Sequence, residues 1–218
     1  MSTAAVKKLG RPVDPTLSAR RQKEILDAAA KLFATRGYSE TDTQVLADEL
    51  GVGKGTLYRY FPSKRALFLA AVDRVMRRLL EAVETSIAGI DDPLQRIKKA
   101  IHAYLGFFAA NPGFVELLIQ ERAQFKDRKK PTYFEHREAN VEKWRELYRS
   151  LIAEGRVRDV PVDRITDVIS QLLYGTIFIN YFAGQPKPSD QQARDILDVV
   201  FNGILTESER KSPRNSEV

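Results

Sequence analysis

Lys54, Gly55, Thr56, Tyr58 and Arg59 fall within six consecutive residues and combine two cations, two hydroxyls and one position with no side chain. Ammonium, guanidinium and hydroxyl groups near the amino end of a helix donate to base edges and phosphate oxygens. A glycine among them lets the backbone approach the floor of a groove. The chemistry implied is reversible recognition of duplex nucleic acid rather than bond making or breaking. Lys64 follows Pro62-Ser63 and falls in the first turn of the next helix, where free amides and a cation together favour a phosphate oxygen.

A helix-turn-helix is the element that positions such a group. Over residues 43–50, Val45, Leu46, Ala47 and Leu50 share one helical face, Gln44, Asp48 and Glu49 face away, and Asp42 or Thr43 suits the amino-terminal cap. Gly51 then suits the positive φ of a helix end, Val52 plugs the corner, and Gly53 serves as N-cap of the second helix. In that helix Leu57 with Tyr60 or Phe61 turns inward, which leaves Lys54 to Thr56, Tyr58 and Arg59 outside. Ile25, Ala28, Ala29, Leu32 and Phe33 form the stripe of a bracing helix that ends near Gly37. On spacing alone, an ordinary helical hairpin with a solvated basic face is the competing reading.

The ordered residues Ile25-Leu26-Asp27-Ala28-Ala29, Leu32-Phe33, Arg36-Gly37-Tyr38, Thr41, Leu46-Ala47, Gly51-Val52, Lys54-Gly55-Thr56-Leu57-Tyr58, Tyr60-Phe61, Ser63-Lys64 and Leu67 carry a resemblance. The stretch from about Ser18 to Val75 resembles the DNA-binding domain of TetR-type bacterial transcriptional regulators. The resemblance implies a three-helix DNA-binding head joined by a fourth helix to a larger helical body that binds an effector and dimerises. Most such proteins are repressors that leave DNA when a small molecule binds. The resemblance marks Lys54, Thr56 and Arg59 for groove or phosphate contact, Tyr58 and Lys64 for phosphate contact, and Gln44 as a further phosphate candidate. The chain departs from the usual pattern at Asp42, where many members carry Ser or Thr, at Thr43, often apolar, and at Gly53, commonly Ser. Asp42 would repel a phosphate and reads as a cap whose charge offsets the helix dipole, which leaves Thr43 to supply the missing hydroxyl.

The expected architecture is all-α: a basic arm over 1–17, the DNA-binding domain over 18–78, a helical effector-binding and dimerisation domain over 79–206, and a tail over 207–218. In the arm, Lys7, Lys8 and Gly10-Arg11-Pro12 offer Arg11 to a narrow A·T-rich minor groove. Beyond Ser63 a helix carrying Leu67, Ala71, Val75 and Leu79 runs toward Glu84, until Gly89 and Asp91-Asp92-Pro93 interrupt it. Helices are then expected over 93–111, 112–124, 131–154, 162–183 and 189–206.

Composition narrows the function class. The chain has 35 basic and 29 acidic residues, a net charge of +6, and 12 of the basic against 7 of the acidic residues lie at or before Phe68. The positive excess therefore belongs to the proposed DNA-binding end. Cysteine is absent, which excludes disulfides, thiolate metal sites and cysteine nucleophiles. His102 and His136 lie in separate expected helices outside any metal or acid-base motif, and 51–56 lacks both phosphate-loop spacing and a preceding strand. No enzyme activity, metal or cofactor is expected. The amino terminus lacks a signal-like apolar core, and the most apolar stretch, 168–182, is broken by Ser170, Gln171, Gly175, Thr176 and Asn180. A cytoplasmic, DNA-associated protein without a membrane partner is the expectation.

Within the body, Tyr104, Phe108, Trp144, Tyr148, Tyr174 and Phe178 are candidates to line a pocket, with Gln120, Asn140 and Gln171 to orient a small, largely apolar effector. Core filling is the competing role for each aromatic. Apolar residues at Val168, Leu172, Ile196, Val199, Val200 and Ile204 stand where the resemblance implies a homodimer interface, with two recognition helices about one DNA turn apart on a near-palindromic operator. The alternative is a DNA-bound interaction protein whose body recruits a protein partner.

Overall fold

The computed structural model describes residues 15–184 and 187–203, which form nine helices and no strand. Arg11, Ile204 and the tail over 207–218 lie outside them. In chain order the helices are α1 (Pro15–Arg36), α2 (Thr43–Glu49), α3 (Lys54–Tyr60), α4 (Lys64–Ile87), α5 (Pro93–Ala110), α6 (Gly113–Gln124), α7 (Thr132–Ala153), α8 (Val162–Ala183) and α9 (Ser189–Asn202). The first helix takes in Pro15 to Leu17, which the sequence reading put in the arm. Proline is tolerated in a first turn, where its missing N–H would have no partner in any case. Two compact units divide at Arg74 and Val75, inside α4.

The amino-terminal unit is built around Ile25, Ala29 and Phe33 of α1, Leu46 and Ala47 of α2, Leu57 of α3, and Leu67, Phe68, Ala71 and Val72 of α4, all essentially solvent-free. Phe68 meets Phe33 and Tyr38 edge-on, with ring centroids 5.1 and 5.2 Å away. Arg74 reaches back from α4 to Asp27 of α1 at 3.3 Å.

In the carboxy-terminal unit, Ile97, Ile101, Leu105 and Phe108 of α5 are buried together with Phe114, Val115, Leu117 and Leu118 of α6. Leu151 of α7, Ile177 of α8 and Leu197 of α9 complete this core. Glu121, 1% exposed, accepts from the backbone N–H and the hydroxyl of Thr132 at 2.9 and 2.8 Å and pairs with Arg128 at 3.2 Å. It thereby ties the end of α6 to the first turn of α7 and satisfies an amide that the helix itself cannot. The side chains of Asn180 and Gln192 exchange two amide hydrogen bonds, joining α8 to α9.

Candidate nucleic-acid interface and ligand cavity

The turn between α2 and α3 is a Schellman closure. The N–H groups of Gly51 and Val52 return to the carbonyls of Asp48 and Ala47 at 3.1 and 2.9 Å, and Gly51 takes a φ of +62°. Any other L residue is strained there, so this glycine fixes the angle at which α3 leaves α2. Gly53 then caps α3 in extended conformation, and Leu57 pins the inner side. Two polar links hold the amino-terminal side of the pair: Asp42 Oδ1 to Lys54 Nζ at 3.2 Å, and Thr43 Oγ1 to Tyr58 OH at 3.0 Å.

Thr56, Tyr58 and Arg59 thus share the outer side of a rigid two-helix corner with Lys54 and Gly55. A Cβ added at Gly55 would meet no protein atom within 4 Å, so the fold does not need glycine at this helical position, which costs about 0.5–1 kcal/mol relative to alanine. Gln44 sits half-buried beside this surface, its amide donating to Asp48 at 2.8 Å.

Two residues depart from their expected settings. Thr43 is 3% exposed, with its hydroxyl turned to Tyr58, so it braces α3 from behind and does not present a donor to solvent. Lys64 donates to the Ser39 carbonyl at 3.0 Å and lies 4.8 Å from the centre of the Tyr38 ring, which ties α4 to the loop after α1. Its ammonium has to leave that carbonyl, or share itself, to meet a phosphate.

Asp42 is the N-cap of α2, accepting from the N–H of Gln44 at 2.8 Å. That N–H and the Lys54 ammonium hold its carboxyl below the usual range, so it stays ionised beside the recognition surface. The acid restrains Lys54 and repels phosphate. Asp42→Asn keeps a capping oxygen while removing the charge. The variant is expected to bind a random-sequence 30-base-pair duplex several-fold more tightly, with a steeper salt dependence, in fluorescence anisotropy. An unchanged isotherm would show that the carboxylate does not restrain the surface.

The carboxy-terminal unit contains a cavity of about 170 Å³. Its walls are mostly apolar: Met76, Leu79, Leu80 and Val83 from α4, Ile97 and Ile101 from α5, Val141 and Trp144 from α7, and Ile169 and Leu173 from α8. Tyr104, Asn140, Trp144 and Tyr148, expected from sequence, line it. His136, Arg137, Lys143, Thr166 and Ser170 also reach it and were not anticipated. Arg137 is paired with Asp167 and Lys143 with Glu84, so neither cation is an open anion site.

The other pocket candidates lie elsewhere. Phe108 is buried against Phe107, edge to face at 5.5 Å. Gln120 is buried and donates to Glu116, and Gln171 is exposed on the surface of α8. Tyr174 and Phe178 pack against one another with tilted rings, centroids 4.6 Å apart, and Tyr174 also packs against Tyr133 and Phe134. Ring-to-ring packing takes up the space that Phe108, Tyr174 and Phe178 would otherwise open to a ligand.

The proposed interface residues divide by exposure. Val168, Leu172 and Val199 are 47%, 39% and 50% exposed, whereas Ile196 and Val200 are half-buried. Ile179 and Phe182, absent from the sequence shortlist, are more exposed still, at 68% and 71%. Positions 168, 172, 179 and 182 repeat at helical spacing on one face of α8, with Gly175 between them.

A helix-turn-helix with an outward polar corner, and a separate all-helical unit holding an apolar cavity, define a DNA-binding regulator of the one-component kind. The family profile described as "Bacterial regulatory proteins, tetR family" matches residues 25–71, and that described as "Tetracyclin repressor-like, C-terminal domain" matches residues 90–178. The chain belongs to the TetR family of transcriptional regulators. It is 32% identical over 108 residues to the nucleoid occlusion factor SlmA of Vibrio campbellii, a match spanning 49% of this chain and about half, 55%, of that protein. It is 27% identical to the HTH-type transcriptional repressor KstR2 of Mycobacterium tuberculosis over 86% of this chain and 94% of that one. Among solved structures, the TetR family regulator PfmR of Thermus thermophilus superposes with a TM-score of 0.67 at 26% identity, over 84% of this chain and 99% of that one.

Proposed function

We propose that this chain is a homodimeric transcriptional repressor that binds a near-palindromic operator and releases it when a small, largely apolar effector enters the cavity of its carboxy-terminal unit. The observation that carries this reading is the cavity itself: an apolar space in the unit that does not hold the DNA-reading corner calls for a ligand distinct from DNA. The likeness to a repressor along nearly its full length supports the sign of the regulation. The paired states of Arg137 and Lys143 favour an uncharged effector body.

Coupling runs through α4. Its first half supplies Leu67, Phe68, Ala71 and Val72 to the head core, and its second half supplies Met76, Leu79, Leu80 and Val83 to the cavity wall. An effector that fits one setting of this helix better than another shifts the population away from the DNA-competent spacing, in proportion to its preference. No helix of the described residues is long and apolar enough to cross a membrane. Among the described residues no histidine or carboxylate cluster suited to a metal occurs either.

The second reading, a DNA-bound protein that recruits a partner, draws on the likeness to a nucleoid occlusion factor, which extends over only half of this chain. Selection of genomic fragments by the purified protein at near-physiological salt, followed by sequencing, tests both. A shared palindrome whose complex is dissociated by a cellular metabolite extract supports the repressor. A shared site that no extract dissociates favours the recruiter, and salt-sensitive retention without a motif removes both.

A further inference from the structure

Three tyrosines line the cavity, and two of them satisfy each other: the hydroxyls of Tyr104 and Tyr133 lie 2.9 Å apart. The third, Tyr148, is 4% exposed and its hydroxyl has no hydrogen-bond partner among the described residues. A hydroxyl buried in this way is destabilising by about 1–3 kcal/mol, and such a group in a native structure calls for an explanation. Burial also pushes the Tyr148 hydroxyl well above its ordinary range, so it stays protonated and remains a donor at any physiological pH. Much of the cavity wall is apolar, with Met76, Leu80, Val83 and Ile97 bringing only carbon or sulfur, and among the described residues none of its polar groups lies within hydrogen-bond reach of this hydroxyl.

We infer that Tyr148 is a specificity-determining donor for the effector, and that the effector therefore carries a neutral oxygen acceptor, a carbonyl or ether, on an otherwise apolar body. This rests on the reading of the cavity as an effector site and refines it to a chemical class. A carboxylate is the wrong acceptor, because it would be desolvated against hydrocarbon walls while the lining cations are held by Asp167 and Glu84. Asn140 supplies a second, weaker constraint. One N–H of its amide donates to the His136 carbonyl at 2.8 Å, which leaves a second N–H and the oxygen for a polar group of the ligand. Asn140 and Tyr148 stand eight residues apart on α7 and both line the cavity, so they address different parts of its wall. At about 170 Å³ the cavity is close to the ~150 Å³ apolar void known to accept benzene, which sets the scale of a six-membered ring for the part that meets Tyr148.

Trp144, the only tryptophan in the chain, lines the same cavity and reports its occupancy by fluorescence. The probes are cyclohexanone and methylenecyclohexane, which match in shape and differ in the carbonyl oxygen. Each is titrated into the full chain and into its Tyr148→Phe variant. The variant is expected to bind cyclohexanone about tenfold more weakly and methylenecyclohexane within about twofold of the parent. Empty Tyr148→Phe is expected to unfold at the same or a higher temperature than the parent, since it removes an unsatisfied buried group. Equal changes for both probes, or none for either, overturn the assignment of Tyr148 while leaving the cavity as a binding site. Failure of both probes to move Trp144 fluorescence overturns the assignment together with the cavity reading. A fall of several degrees in the unfolding temperature of the empty variant would assign the hydroxyl to the fold and overturn the inference.

Discussion

Lys54→Ala is expected to weaken binding to the selected operator by about 30-fold or more at near-physiological salt, without lowering the temperature at which the protein unfolds. Lys54 is the first residue of α3, where donors reach a groove, and its side chain is 42% exposed. It pairs with the exposed carboxylate of Asp42, and an ion pair in that setting contributes little to folding. Truncation opens no cavity and strands no buried group. A well-made contact to a base is worth about 1–3 kcal/mol of discrimination, and a dimer loses it in both half-sites. The doubled loss, about 2–6 kcal/mol, corresponds to roughly 30-fold to 10⁴-fold in affinity. If Lys54 instead neutralises a phosphate, binding to random duplex falls in parallel and the salt slope shrinks by about one per half-site. Anisotropy titrations against the operator and a scrambled duplex at three salt concentrations separate the two roles. An unaltered operator isotherm would move the readout elsewhere on α3. Tyr58 is a less clean probe, because losing its hydroxyl also breaks the bond to Thr43 and loosens the packing of α3 on α2.

That difference between Lys54 and Tyr58 shows how far the sequence reaches. The helix-turn-helix was legible because each part has a local chemical signature: a cap acid at Asp42, a left-handed glycine at Gly51, an apolar anchor at Leu57 and a stop at Phe61-Pro62. Local signatures do not say where a polar side chain finds its partner across the corner. Thr43 reads as a surface hydroxyl beside Asp42, yet it lies beneath Tyr58, fifteen residues on. Lys64 reads as a free first-turn cation, yet it meets a carbonyl twenty-five residues back. Both outcomes depend on how two helices cross, which periodicity does not encode.

The cavity marks the same limit in the larger unit. Residue type singles out Asn140, Trp144 and Tyr148, which stand at i, i+4 and i+8 on α7 and line the cavity together. It cannot separate an inward ring that meets a void from one that meets another ring. Tyr174 and Phe178 are half-buried and packed ring against ring, while the aliphatic wall from α4 carries no compositional sign of lining a pocket. On α8 one apolar run serves two surfaces: Ile169 and Leu173 turn to the cavity, and Val168 and Leu172, a residue away from each, turn outward. A stripe broad enough for both was visible in sequence, but its division was not.

That division makes Leu172 the position at which to test the dimer. Leu172→Asp is expected to convert the protein from a species of twice the 24.7 kDa chain mass to one of that mass in sedimentation at micromolar concentration, and to reduce operator affinity by at least about 100-fold. At 39% exposure, a carboxylate there remains hydrated in an isolated chain, so the fold has no reason to fail. In a two-fold interface formed by α8 the same residue is buried twice, close to its own symmetry mate. Two desolvated like charges oppose association by several kcal/mol. Ile196 and Val200 would be weaker tests, because they are half-buried within one chain and a charge there strains α9 as well as any interface. The surface around Leu172 is suited to pairing: Val168, Ile179 and Phe182 continue the same face at helical spacing, and Gly175 lets a second helix approach closely. Retention of the heavier species by Leu172→Asp would place the interface away from this stripe. A monomer that still binds cyclohexanone would show that assembly and effector capture use opposite sides of one helix, as the outward Leu172 and inward Leu173 require.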